Sequence, residues 1–312
     1  MRRPFAAVAV LSTAAAVLAL AGCGSSNPTG TNFKSLTSAQ QAAFENEAVL
    51  EVEANVASLA TLDPYGGFGF DRVVPRRAGV MFSLIGPKNH APRFQTSNCI
   101  TLSGNTADED SDGVPDNETA TWNCVTQLNP GVDSITGTLN IQDPTPTTAD
   151  LDYNASANLS AAEHGASSGD VAFTLKATSG LTNTAGSINE SGNGTFSLTV
   201  ANNSNGNGSV KLTTNNTITY TYSGAILTSF GTLPAGTFNL SGNWSYAVTS
   251  PNLNANLSFA VSTPGGLSID PTNCNNNSGH VVSGEADIKF SDGTLVKAVW
   301  SGCPTQASIT VS

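Results

Sequence analysis

The chain has 312 residues, only 11% of them charged, and 23 Asp plus Glu outweigh 12 Lys plus Arg to give a formal net charge of −11. Such an acidic surface repels nucleic acid and anionic lipid headgroups, which excludes both as electrostatic partners. The length suffices for one large β domain with a sizeable core, and solubility rests on abundant Asn, Thr, Ser and Gly rather than on ions.

Residues 1–22 read as an export signal: Arg2 and Arg3 form a basic start, an apolar run extends from Phe5 to Leu20, and small residues precede Cys23. The run is shorter than the ~20 residues that span a bilayer. Leu20-Ala21-Gly22-Cys23 resembles the lipobox of bacterial lipoproteins. That resemblance implies cleavage before Cys23, a covalent lipid on Cys23 (acyl chains such as palmitate) and an exported protein held at the membrane through those chains alone. In a cell with an outer membrane, that membrane is the expected location.

Residues 23–37 are rich in Gly, Ser, Asn and Thr and predict a flexible tether. Ser38-Ala39-Gln40-Gln41 fits a capping box, in which a hydroxyl and an amide satisfy backbone groups at a helix start. Phe44, Ala48, Val49, Val52, Val56 and Leu59 then recur at helical spacing, so an amphipathic helix is expected to begin at Ser38, to lay that stripe on a sheet and to end before Asp63-Pro64. The segment that follows carries Arg72, Arg76, Arg77, Lys88 and Arg93, a basic connector beside an acidic helix. Helix and connector together make residues 38–93, packed on the sheet.

From residue 94 to 312 the apolar period becomes two. Val171, Phe173 and Leu175, then Phe196, Leu198 and Val200, then Ile218, Tyr220 and Tyr222 alternate with polar residues, and Phe238 to Val248 and Leu253 to Val261 continue the pattern. Turn signals at Gly192-Asn193-Gly194, Asn205-Gly206-Asn207-Gly208, Pro264-Gly265-Gly266 and Asp292-Gly293 fall between such blocks. The expected fold is mainly β: a long antiparallel meander of roughly ten to twelve strands, open or half-barrel-like, with one N-terminal amphipathic helix.

With Cys23 assigned to lipid, Cys99, Cys124, Cys274 and Cys303 remain for disulfides in an oxidising compartment. Three pairings exist; Cys99 with Cys124 and Cys274 with Cys303 is preferred, because each pair flanks a hairpin-like segment and closes a short loop. No C-x-x-C spacing supports metal binding by these thiols.

One run has the order of a metal loop. Asp108, Asp110 and Asp112 alternate, Gly113 permits a sharp turn, and the Val114 carbonyl, Asp116 and Glu118 can complete an all-oxygen shell suited to calcium. The run resembles the calcium loops of thrombospondin type 3 repeats and, more loosely, of EF-hands, and that resemblance implies a structural calcium ion. It departs from the EF-hand pattern in placing Thr119 where a bidentate Glu is expected, with Glu118 one position early. The Cys-strand, Asp-rich tip and Cys-strand together also resemble secreted bacterial β-rich proteins, a likeness that implies no activity.

No catalytic set stands out. His90, His164 and His280 are the only histidines, and neither a nucleophile elbow nor a phosphate-binding loop is present. Glu163 beside His164, and Glu285 with Asp287 on one face of a strand, have the residue types of acid–base pairs but read first as loop or surface residues. The sequence therefore predicts a non-enzymatic, lipid-anchored envelope or surface protein whose β domain binds a protein or small ligand or serves structurally. The alternative is a half-barrel carrier of a lipid or other hydrophobic ligand, which needs an apolar lining left unfilled by the helix. An enzyme acting on carbohydrate, suggested only by Trp244, Tyr246 and Trp300, ranks third and a transmembrane barrel fourth.

Overall fold

The computed structural model describes residues 29–30, 32–61, 99–128, 131–166, 169–201, 207–229, 232–250, 253–274, 280–303 and 307–312. The expected signal, Cys23 and the basic connector lie outside the described residues. Strand β1 (Thr29–Gly30) and a 3-10 turn at Phe33–Ser35 lead into helix α1 (Ser38–Thr61). The strands that follow are β2 (Ile100–Asn105), β3 (Asn117–Leu128), β4 (Gly131–Gln142), β5 (Tyr153–Ala166), β6 (Gly169–Thr184) and β7 (Ser187–Ala201). After them come β8 (Gly208–Tyr222), β9 (Gly236–Ser250), β10 (Leu253–Ser262), β11 (Leu267–Ile269), β12 (Val281–Phe290), β13 (Leu295–Ser301) and β14 (Ser308–Val311).

From β2 to β9 every strand pairs antiparallel with the next. Beyond β9 the next position in the sheet is shared by β10 and β11, which both pair with β12, and β13 and β14 complete the series. The chain is thus one antiparallel meander, as its period predicts, with 13 strands against the roughly ten to twelve expected and with β1 added in parallel to β10. No ladder among the described residues joins β2 to β14.

Register follows from the two-residue period. Leu159, Leu175, Phe196, Leu212, Tyr246 and Leu257 stand opposite one another across β5 to β10, all buried. One residue along, Asn158, Lys176, Thr195, Thr213, Ser245 and Ser258 form the matching row on the outer face. A slip of one residue would exchange these rows, which fixes the pairing.

Helix α1 covers the apolar face with the expected stripe: Phe44, Ala48, Val49, Val52, Val56 and Leu59 are all buried. The Phe44 ring meets Tyr246 edge-on at 6.2 Å, Asn216 donates to Asn55 at 3.3 Å, and the Trp300 indole donates to Glu53 at 3.2 Å. Gly192 and Gly242 flank Asn216, and a Cβ on Gly242 would come within 2.6 Å of the Asn215 carbonyl. Small residues there let the helix amide approach the sheet.

Three expectations need correction. The capping box is Thr37 with Gln40, not Ser38 with Gln41: Thr37 N–H donates to Gln40 Oε1 at 2.9 Å and Gln40 N–H to Thr37 Oγ1 at 3.4 Å. Gln41 instead donates to the Phe33 carbonyl at 3.2 Å. The folded body starts before Ser38, because Thr29 and Gly30 pair with Asn254 and Ala255, and Phe33 stacks against Phe290 with ring centroids 4.1 Å apart. Two apolar anchors, Phe33 and Leu36, suffice to dock a segment whose composition reads as a linker. Finally, Gly192-Asn193-Gly194 is not a turn but the middle of β7, where glycine makes room for Asn216.

Candidate metal centre

The antiparallel meander puts the β2–β3 and β4–β5 connections at the same end of the sheet. The first is the Asp-rich run between Asn105 and Asn117. Its backbone turns through left-handed conformations at Ser111 (φ 65°) and Gly113 (φ 99°), which curls the chain around its own carboxylates. Gly113 N–H donates to Asp108 Oδ2 at 3.2 Å, Asp112 N–H to Asp110 Oδ1 at 3.3 Å and Val114 N–H to Asp112 Oδ1 at 2.6 Å. Asn105 anchors the other end by donating to Asp116 Oδ2 at 2.7 Å, while the Val114 side chain is fully buried.

One carboxylate oxygen from each of Asp108, Asp110 and Asp112 lies within 4.8 Å of the others. Two oxygens bound to one calcium stand at most about 5 Å apart, twice a Ca–O bond, so the spacing and the all-oxygen chemistry fit that ion. Asp112 is 1% exposed, and its Oδ2 is buried without a hydrogen-bond partner, as are Asp110 Oδ2 and Asp116 Oδ1. Burial, and then the charges of Asp110, Asp143 and Asp108, push the Asp112 carboxyl up to about 7 against the lowering effect of the Val114 N–H. Asp110 is raised as well, first by burial. The expected ligands Asp116 and Glu118 fall outside the group of three; Glu118 is built into β3 opposite Gly104 and Ile141.

The β4–β5 connection brings three further aspartates that motif reading did not single out. Asp143 and Asp152 are buried, and Asp143 N–H donates to the Pro115 carbonyl at 3.2 Å, which joins the two loops. Thr145 organises the second loop: its N–H donates to Asp143 Oδ1 at 2.7 Å, and its hydroxyl contacts Asp150 Oδ1 at 3.0 Å and Asp152 Oδ1 at 3.2 Å. Burial, and then a hydrogen bond from its carboxyl to Asp143, push Asp152 up to about 6. Among the described residues none of Asp108, Asp110, Asp112, Asp116, Asp143, Asp150 and Asp152 forms an ion pair. No spacing rule links Asp143 to Asp112; only the strand pairing does.

Both expected disulfides are present. Cys99–Cys124 spans 25 residues and fastens the end of the β2–β3 hairpin opposite the acidic loop, while Cys274–Cys303 spans 29 and straddles β12 and β13. Such bonds belong to an oxidising, non-cytoplasmic compartment. Among the described residues no helix is long and apolar enough to cross a membrane.

Glu285 and Asp287 share Lys297, with Nζ at 2.6 and 3.9 Å, so they form a surface ion-pair cluster rather than an acid–base pair. Trp244, Tyr246 and Trp300 are core residues, Tyr246 against Phe44 and Trp300 against Glu53 of α1, and offer no ligand platform on the outer face. His280 contacts the Cys274 carbonyl through Nδ1 at 2.5 Å. The side chains of Glu163 and His164 lie outside the described residues. On the outer face a cleft of about 380 Å³ crosses β4 to β8, and most of its lining is amides and hydroxyls, among them Asn140, Asn154, Ser156, Thr178, Asn193 and Asn215.

No protein-family model, curated protein or solved structure matches the chain. The fold and the acidic loops therefore define it by themselves as an antiparallel β-meander with a docked helix and a candidate cation centre at one end.

Proposed function

We propose that this is an exported lipoprotein, anchored through acyl chains on Cys23, whose β body is held rigid at one end by calcium and serves as a non-enzymatic structural or binding module of the cell envelope. The observation that carries the calcium part is Asp112: a carboxylate 1% exposed, with one oxygen unpartnered, facing two further aspartates. Holding ionised carboxylates out of water without a counter-charge costs several kcal/mol each, and a divalent cation removes that cost. Calcium outside the cytoplasm suits even a loop of modest affinity, toward the ~10⁻⁴ to 10⁻³ M range. The two disulfides support export. The carrier alternative has less support, because α1 already occupies the apolar face with Val52, Val56 and Leu59.

One variant tests this reading. Cys23→Ser is expected to leave the membrane fraction, to stay soluble without detergent, and to melt at higher temperature in millimolar calcium than in EDTA. Persistent membrane association in the variant refutes the anchor, and identical melting in calcium and EDTA refutes the ion.

A further inference from the structure

We propose that the cleft on the outer face of the sheet binds an uncharged, extended polysaccharide, held by amides and hydroxyls across the strands rather than by stacked rings. This rests on the binding-module reading above, whose ligand it names, and on neither the calcium ion nor the lipid anchor. Asn140, Ser156, Thr178, Asn193 and Asn215 stand opposite one another from β4 to β8, so strand pairing sets one amide or hydroxyl beside the next along the cleft. In the adjoining row Gly180 places no side chain between Asn154 and Ser191, and a Cβ there would stand 3.0 Å from Asn154 Oδ1. The missing side chain opens a gap, and the Asn154 amide leans over it. Asn140 is fixed at one wall by donating to Asn117 Oδ1 and to Thr119 Oγ1, both at 2.9 Å. Among the described residues the exposed side chains of Asn193 and Asn215 make no hydrogen bond, which leaves their donors and acceptors for a ligand.

Charge narrows the ligand class. The chain has a net charge of −11, yet neither a charged nor an aromatic side chain lines the cleft. An ionic ligand finds no counter-charge there, and an apolar one finds only Ala155. Amides and hydroxyls both donate and accept, as sugar hydroxyls do, so the match is to a neutral polyhydroxylated molecule. Neighbouring strands lie about 4.8 Å apart, close to the length of one hexose unit in an extended β-linked chain. A glycan lying across the strands along the Asn140–Asn215 row therefore meets a fresh amide or hydroxyl at each sugar. Single contacts of this kind are weak, because each replaces a bond to water. A polymer that crosses the row from β4 to β8 makes several of them in one binding event.

The test is affinity electrophoresis of the full chain carrying Cys23→Ser in native gels cast with konjac glucomannan or barley β-glucan, two neutral β-linked glycans. Gels cast with polygalacturonate and with dextran give the anionic and the α-linked comparison. Glucomannan and β-glucan are expected to retard the protein increasingly with their concentration, and the comparison polymers to leave its mobility unchanged. Asn193→Ala combined with Asn215→Ala is expected to weaken the binding about tenfold, while Ser209→Ala, on the same face outside the cleft, keeps it within about twofold. An unchanged circular dichroism melt shows that the double variant is folded; if it melts lower, Thr178→Arg, which fills the cleft from an exposed position, replaces it. No retardation by either neutral glycan, equal retardation by polygalacturonate or dextran, or retardation that survives the cleft variant overturns the proposal. Each of these results leaves the anchor and the calcium ion standing, because those are read from membrane release and from melting in calcium against EDTA.

Discussion

In the absence of metal, Asp112 should make the protein less stable as the pH rises toward neutrality. A carboxyl raised from 3.8 to about 7 in the folded chain holds a proton that the unfolded chain has already released. Its contribution to stability is fully present below the unfolded value and is lost as the pH rises through the folded one. Between pH 5 and pH 7.5 that amounts to about 2–3 kcal/mol, at 1.36 kcal/mol per pH unit over the part of the interval below 7. For a domain of this size it corresponds to roughly 5 °C in Tm. Asp152, raised to about 6, acts in the same direction, so the isolating comparison is with Asp112→Asn, whose amide oxygen can still accept the Val114 N–H. Melting followed by circular dichroism in EDTA at pH 5 and 7.5 is expected to show the parent losing more stability than the variant over this interval. In calcium the order reverses, because protons and the ion compete for the same oxygens and the calcium-induced rise in Tm grows with pH. A metal-free parent whose Tm relative to Asp112→Asn stays constant or rises from pH 5 to 7.5 would refute the reasoning that Asp112 is buried and uncompensated.

Two further predictions concern the sheet. Gly137 on β4 has φ 133°, and a Cβ there would stand 2.1 Å from the Asn158 carbonyl oxygen, so Gly137→Ala should cost about 3 kcal/mol or more in urea unfolding; a loss under about 0.5 kcal/mol would show that the strands separate without strain. Replacing both Cys99 and Cys124 by Ser opens a closed loop of 25 residues and should lower stability by about 3.5 kcal/mol in the chain-entropy account, read as a shift of the urea midpoint, with no shift as the contrary result.

The sequence by itself determined much of the architecture. Alternation such as Phe196-Leu198-Val200 sets one apolar face per strand whatever the partner is, and the helical stripe from Phe44 to Leu59 needs such a face to cover it. The spacing of Cys99, Cys124, Cys274 and Cys303 made the local pairing the expected one, since each pair closes a short loop around a hairpin. Local chemistry also located the Asp108–Asp112 cluster, because alternate side chains on a tight loop meet without help from the rest of the fold.

What only the tertiary structure decided depends on which strand lies beside which. Asp143 and Asp152 read as ordinary loop residues until the pairing of β3 with β4 brings the two connections to one end of the sheet, where burial raises Asp152 and the Asp143 backbone meets Pro115. Phe33 and Leu36 read as part of a polar tether until Phe290 and its neighbours give them an apolar surface to bury. Gly192-Asn193-Gly194 reads as a turn, because glycine's freedom is the local signal, whereas its role in β7 is the absence of a side chain beside Asn216. Propensity acts between neighbours in sequence; burial, close approach and shared charge act between neighbours in space, and those neighbours exist only once the meander has closed its ladders.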